Sequence, residues 1–317
     1  MTKTTFTPKW IVGGLLPILL FLLFLIPKSL ADQNINTEAN FPDPVFRQAV
    51  EEFMQIAPGE KIASSQASAA SAKFICKATG TVDLTGLQYF ANLRDFGLFN
   101  SYMERFDASI LPLLKRLYCS GNIKMATLDI SKNPKLEVLE SFQNQLQRLD
   151  LLQNPKLSTL FCGSNKLTVL DVSKNKELFK LICENNRLVR IVFSHHPAMM
   201  FLGCPFNELQ TLDLSGCPGL SAIDCSFNRL TRLDPSRNPD LRTLNCANNN
   251  LTELNISQNK VLVYLDCSNN PITELDVSQN PELGSVDIRG TKIESLNLRG
   301  NFHLRNIIDD GNVRIIR

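Results

Sequence analysis

The chain has 317 residues, 44% of them hydrophobic, and its 33 lysines and arginines nearly balance 31 acidic residues for a formal charge of +2. That length and composition allow a large buried core and exclude disorder along most of the chain. The near-neutral balance gives no electrostatic basis for nucleic-acid binding, which depends on Lys and Arg neutralising phosphates.

The first segment differs from everything after it. Lys3 and Lys9 precede an apolar run from Trp10 to Ile26, which stops at Pro27 and is followed by the small residues Ser29 and Ala31. This order predicts a signal peptide over residues 1–31, cleaved before Asp32, and a mature chain outside the cytoplasm. The alternative is an uncleaved membrane anchor. A membrane span needs about 20 apolar residues, whereas this run is shorter and broken by Gly13, Gly14 and Pro17. No cysteine follows it in the position a lipid anchor requires.

Next comes a helix signal. Asp43 can act as N-cap with Pro44 at the first helical position, and Phe46, Ala49, Val50 and Phe53 then fall on one face. The Ala/Ser-rich stretch from Ala63 to Ala72 reads as a second weak helix or a loose connection, the helix being preferred.

From about residue 74 one phrase recurs in two versions. L-x-C-x-x-N starts at Leu117, Leu139, Leu160, Leu181, Leu202, Ile223, Leu244 and Leu265. L-D-V-S-x-N-P and its variants start at Leu128, Leu149, Leu170, Ile191, Leu212, Leu233, Leu254, Leu275 and Leu296. The two alternate so that one winding takes 21 residues, apart from a single step of 22 from Leu117 to Leu139. No ordinary helix fits between them. The period therefore predicts a solenoid whose short extended segments stack on their copies as a parallel sheet, with neighbours about 4.8 Å apart.

Side chains alternate along a strand, so the first leucine and the residue two further on point inward, and the position between them faces out. Five residues after that leucine stands Asn122, then Asn144, Asn165, Asn186, Asn207, Asn228, Asn249 and Asn270. A second row comprises Asn133, Asn154, Asn175, Asn238, Asn259, Asn280 and Asn301, with Pro134, Pro155, Pro239 and Pro281 directly following. A periodic amide at a bend serves the period: it satisfies backbone groups of adjacent coils that no ladder reaches.

The cysteines follow the same register. Cys162, Cys183, Cys204, Cys225, Cys246 and Cys267 are each 21 residues apart; Cys119 and Cys76 belong to the same column, with Ser141 and Leu98 filling intermediate slots, and Cys217 lies off it. Stacked positions have parallel Cβ vectors, too far apart for the roughly 3.8 Å a disulfide prefers. The expectation is a column of buried free thiols with raised pKa and little reactivity, and a line of ligands rather than a point at which zinc could sit.

Phrases such as Leu265-Asp266-Cys267-Ser268-Asn269-Asn270 and Leu275-Asp276-Val277-Ser278-Gln279-Asn280 resemble the repeats of bacterial internalin-like leucine-rich repeat proteins of the 21-residue, cysteine-ladder type, the internalin J-like group. The resemblance extends over residues 41–306. Phe41 to Arg47 resembles the start of the helical cap of such proteins, and Leu84 to Phe96 the entry into their repeats. The resemblance implies a leucine-rich repeat solenoid and recognition or adhesion at the bacterial surface. The expected organisation is a signal peptide (1–31), a helical N-terminal cap (32–73) shielding the first coil, the solenoid with two short strands per coil (74–306) and an end segment (307–317). A sorting motif, a wall-spanning tail and an immunoglobulin-like domain, which such proteins carry, are not expected here, and this favours a released or periplasmic protein.

One stretch of outward slots departs from the polar or small norm: Tyr118, Phe142, Phe161, Phe179, Ile182, Phe201 and Phe206, joined by Met200. Aromatic clusters on a surface are favoured interface anchors, so these eight residues are the candidate partner-binding site. Against this, rings in such slots can fold back over the core leucines. The winding from Ile191 is the least regular, with Val192 for the usual Asp and His196 for the usual Asn; His195 and His196 read as a surface loop rather than a metal site. Outside the repeat grammar there is no nucleophile with a base, no carboxylate pair and no phosphate-binding loop. The reading is a non-catalytic, secreted or cell-surface module, without cofactor or metal, that binds a protein of a host or neighbouring cell. It takes no nucleic acid and no small-molecule substrate, and touches membrane only if the leader is retained. The competing reading is an envelope scaffold or inhibitor on an uncleaved anchor.

Overall fold

The computed structural model describes residues 33–316, and the expected leader with its cleavage point before Asp32 lies outside them. Asp43 Oδ1 accepts the amide proton of Phe46 at 2.9 Å, and with Pro44 at the first position the chain enters helix α1 (Pro44–Met54). Its inner face buries Phe46, Ala49 and Val50. Between Ala63 and Ala72 a short helix α2 (Ser64–Ala69) forms, started by Gln66, whose side chain accepts the amide of Ala63.

The cap and the first coil share one aromatic cluster. Phe53 of α1 stacks on Phe74 at 4.7 Å, and Phe74 meets Phe90 at 5.8 Å and Phe96 at 5.7 Å. Phe74 and Phe96 occupy the inward slots that leucine fills later, so the larger rings at this end bridge helix and sheet. Gly86 is required here: with φ of 103°, a Cβ on it would lie 2.3 Å from the Phe41 ring. Glu51 points inward too, yet keeps its charge. Burial pushes its carboxyl up, but the Gly59 amide, the Asn36 amide and the Arg47 charge together hold it below the usual range.

The main sheet has twelve parallel strands, in the order β1 (Lys73–Lys77), β2 (Asp95–Phe99), β4 (Arg116–Tyr118), β6 (Val138–Glu140), β7 (Thr159–Phe161), β9 (Lys180–Ile182), β11 (Phe201–Gly203), β12 (Ala222–Asp224), β13 (Thr243–Asn245), β14 (Tyr264–Asp266), β15 (Ser285–Asp287) and β17 (Asn306–Ile308). Leu160, Leu181, Leu202, Ile223, Leu244 and Leu265 are successive register partners and all are buried. A slip of one residue would turn this whole column to solvent, which is why the register holds.

Among the described residues the second segment of the coil pairs as strand in three places: β3 (Arg105–Asp107) with β5 (Thr127–Asp129), β8 (Val169–Asp171) with β10 (Arg190–Val192), and β16 (Ser295–Asn297) with β18 (Arg314–Ile316). The chain bends immediately afterwards. The carboxylate of Asp129, Asp171, Asp213, Asp234 or Asp276 accepts the amide proton of the serine two residues on, at 2.8 to 3.0 Å, a local turn that competes with longer pairing.

Both asparagine rows bridge coils, in different ways. In the front row Asn165 Nδ2 donates to the Ser141 carbonyl at 2.8 Å and to Cys162 at 3.1 Å, while its Oδ1 accepts from the Leu146 amide at 3.0 Å. Asn154, in the back row, donates to Ile130 and Asn133 at 3.0 and 2.9 Å, and its Oδ1 accepts nothing. Cys217 sits in this back row, where Asn238 Nδ2 reaches its carbonyl at 2.7 Å. All nine cysteines are free and buried. Desolvation pushes the Cys76 thiol up to about 11 and those of Cys225 and Cys267 to about 12.

His196 does not lie on a surface loop. It is fully buried in the back asparagine row, with Nε2 2.9 Å from the Val172 carbonyl, because that slot points inward whatever residue fills it. His195 remains exposed.

Candidate partner-binding surface

On the outer face of the main sheet the positions flanking each buried leucine form columns. In β7, β9 and β11 those positions hold Phe161, Lys180, Ile182 and Phe201, preceded by Phe179 and Met200. Lys180 and Phe201 are register partners, as are Phe161 and Ile182. Phe179 meets Phe201 edge-on at 5.3 Å. The Lys180 ammonium stands 5.0 Å from the Phe161 ring centre and 5.9 Å from that of Phe201, so one cation holds two rings in place. Ile182 pairs with Gly203, where a Cβ would come within 2.9 Å of the isoleucine Cδ1, so its methyl spreads over bare backbone.

Of the eight expected residues, Phe142, Phe179, Met200 and Phe206 are exposed, and Tyr118, Phe161, Ile182 and Phe201 are half-buried. The structure groups them unevenly. Phe161, Ile182 and Phe201 lie on three adjacent strands, with Phe179 and Met200 directly before two of them. Tyr118 is separated from Phe161 by Glu140 and has its own surroundings: Lys73 lies 4.2 Å over its ring. Burial, then Asp95 and Glu140, pushes the Tyr118 hydroxyl up. Phe142 stands alone past the end of β6.

Phe206 has a partner that the sequence reading missed. Its ring stacks on Phe227 at 4.3 Å with 13° between planes, and the two are 53% and 45% exposed. The signal was available, since Phe227 follows Phe206 by one 21-residue period. Both rings occupy the bend after the cysteine column, where the coils from β2 to β15 pass through the left-handed region: Asn100, Gln143, Ser164, Asn185, Asn248 and Asn269 have φ of 51° to 58° there, and Gly121 and Gly290 also have positive φ. Phenylalanine at 55° and 52° is out of place among Asn, Gly and Ser, and a non-glycine residue held so costs about 1–3 kcal/mol.

Beyond the aromatic strands the outward column continues as Asp224, Asn245, Asp266 and Asp287. Among the described residues no group of His, Cys, Asp and Glu could hold a metal ion, and no helix is long and apolar enough to cross a membrane. What this surface offers is apolar and aromatic contact with fixed charges beside it.

A family model described as Leucine Rich repeat matches residues 247–261. The functional domain of InlJ from Listeria monocytogenes, described as including a cysteine ladder, is similar at 30% identity and a TM-score of 0.78 over 89% of this chain. The chain spans 62% of that domain's length. An internalin, InlF, from the same organism is 16% identical, with a TM-score of 0.65 over 90% of this chain and 94% of its own. A leucine-rich repeat protein of Leptospira interrogans is 19% identical, with a TM-score of 0.60 over 74% of this chain and 70% of its own. The last two likenesses are of fold alone. A comparison with curated proteins gave no match.

Proposed function

Taking the chain as an internalin-like leucine-rich repeat solenoid, we propose that it is a non-catalytic recognition module, secreted or at the cell surface, which binds a protein of a host or neighbouring cell through the outer face of its main sheet. The observation behind this is the group of Phe161, Phe179 and Phe201 around Lys180, with Ile182 and Met200 beside it. Rings ordered in advance and left open to solvent lose little freedom on association, and aromatic anchors carry much of the energy of protein interfaces.

Capture of surface proteins by the wild type and by a Phe161→Ser, Phe179→Ser variant tests this. The reading expects partners that the wild type retains and the variant loses; equal capture by both removes the patch from consideration. The N-terminal residue of the mature protein checks the export step. Asp32 supports release, and Met1 supports the competing reading of an envelope scaffold or inhibitor held by its leader.

A further inference from the structure

The outer face of the main sheet changes character past the aromatic group. One outward column runs from Phe201 through Ala222 and Thr243 to Tyr264, and the other from Gly203 through Asp224 and Asn245 to Asp266. Phe201 and Tyr264 stand three strands apart, about 14 Å at a spacing of about 4.8 Å, with small side chains between them. The result is a shallow trough with a ring at each end and two carboxylates along one side. Asp224 and Asp266 are half-buried. In each, Oδ1 accepts the amide and the hydroxyl of the serine two residues on, while Oδ2 has no partner among the described residues and remains open to solvent. The next carboxylate of the column, Asp287, is buried and paired with Arg289. Among the described residues Asp224 and Asp266 have no such counter-ion. Their charges converge on one place: burial, then Asp266, Asp287 and Asp224, pushes the Tyr264 hydroxyl up.

We infer that the partner segment seated on the aromatic group continues over this trough and is basic there, setting Lys or Arg side chains against Asp224 and Asp266. A face that passes from aromatic on β7 to β11 into anionic on β12 to β14 is complementary to a polypeptide with an apolar anchor followed by cations. At about 3.3 Å per extended residue, 14 Å corresponds to about four residues, so anchor and cations belong to one short segment. Lys180 gives the segment its direction. Its ammonium lies over Phe161 and Phe201 and repels a cation placed at the aromatic end. The carboxylates are already oriented by their serines and lose little freedom on pairing. The inference rests on the sheet-face reading above and adds the charge and order of what binds there.

Selection of a random dodecapeptide library, displayed on phage, against the whole chain tests this without knowledge of the natural partner. An Asp224→Asn, Asp266→Asn variant is selected in parallel; asparagine is the residue of the same column at 245, where its Oδ1 keeps the turn by accepting the Ala247 amide at 3.2 Å. The wild type should enrich peptides with an aromatic or leucine residue within about four residues of Lys or Arg. The asparagine variant should keep the apolar enrichment and lose the basic one, and should bind a peptide selected on the wild type on the order of 10-fold more weakly. Selected peptides with no excess of Lys and Arg, an equal excess on the asparagine variant, or no enrichment at all overturns the inference. A Phe161→Ser, Phe179→Ser variant should lose the apolar enrichment. If it does while the asparagine variant behaves as wild type, the sheet-face reading stands and this one fails.

Discussion

His196 Nε2 lies 2.9 Å from the carbonyl oxygen of Val172, taking the place in the back row where Asn175 reaches Leu151 at 3.0 Å. The imidazole makes one of the two bonds an asparagine makes there, and Cys217 in the next coil makes neither. The back row is therefore thinnest between Asn175 and Asn238.

His196→Ala should remove the bond to Val172, together with the long one that Nδ1 accepts from the Ser194 amide at 3.4 Å, and open space beside Phe193, whose ring meets the imidazole at 5.8 Å. The expected loss is about 2 kcal/mol of unfolding free energy. His196→Asn restores the row and should retain wild-type stability or exceed it. Urea unfolding of the three proteins decides, and an alanine variant as stable as the wild type contradicts the assignment.

The thiols should be inert in the folded protein. Desolvation is the main cause that raises each one, and the thiolate is the reactive form. A thiol reagent at neutral pH should modify none of the nine cysteines on the timescale of minutes, and all of them in concentrated urea. Fast labelling of the native chain would contradict a closed core.

Acid should weaken the bends of the second segment. The hydroxyl and amide of the serine two residues on hold the carboxyls of Asp171, Asp213 and Asp234 below the usual range, and the amide and then the hydroxyl do so for Asp129 and Asp276. A depressed carboxyl contributes stability that is present above the ordinary value near 3.9 and is lost as pH falls through the lowered one. Stability should therefore fall below about pH 4, by a small amount per site since these carboxyls are exposed. Asn255 and Asn297 make the same turn without titrating. Asp171→Asn should consequently flatten the acid limb of a stability-against-pH curve, and an unaltered limb would count against the bends as its source.

Replacing Phe206 and Phe227 together by asparagine should raise stability by on the order of 1 kcal/mol. Relief of two left-handed conformations, about 1–3 kcal/mol each, outweighs the ring pair at about 0.5–1.5 kcal/mol and the burial lost with it. A lower urea midpoint in the double variant would make the stack a structural device.

The spacing of Leu160, Cys162 and Asn165, repeated at 181, 183 and 186, was enough to place an inward leucine, a buried thiol and a bridging amide, because each winding meets only its copies. The capping helix was equally legible at Asp43 and Pro44, where one carboxylate and one fixed φ set the start. The surface was less so. Tyr118 and Phe142 share the aromatic character of Phe161 but lie apart from it, and Phe227 went unnoticed beside Phe206, since grouping depends on which columns rings occupy and how they turn.

What the amino acids determined alone is the winding: a period of 21 residues, with a step of 22 at Leu117, makes the inward slots equivalent, so one coil's burial pattern is nearly every coil's. The tertiary structure decided what lies outside that identity. Lys180 between two rings, Phe206 stacked on Phe227 and His196 folded into the back row all depend on which neighbour each coil presents across about 4.8 Å. Contact across coils couples residues some 21 positions apart, and side chains at that separation settle their direction only once the coils are stacked.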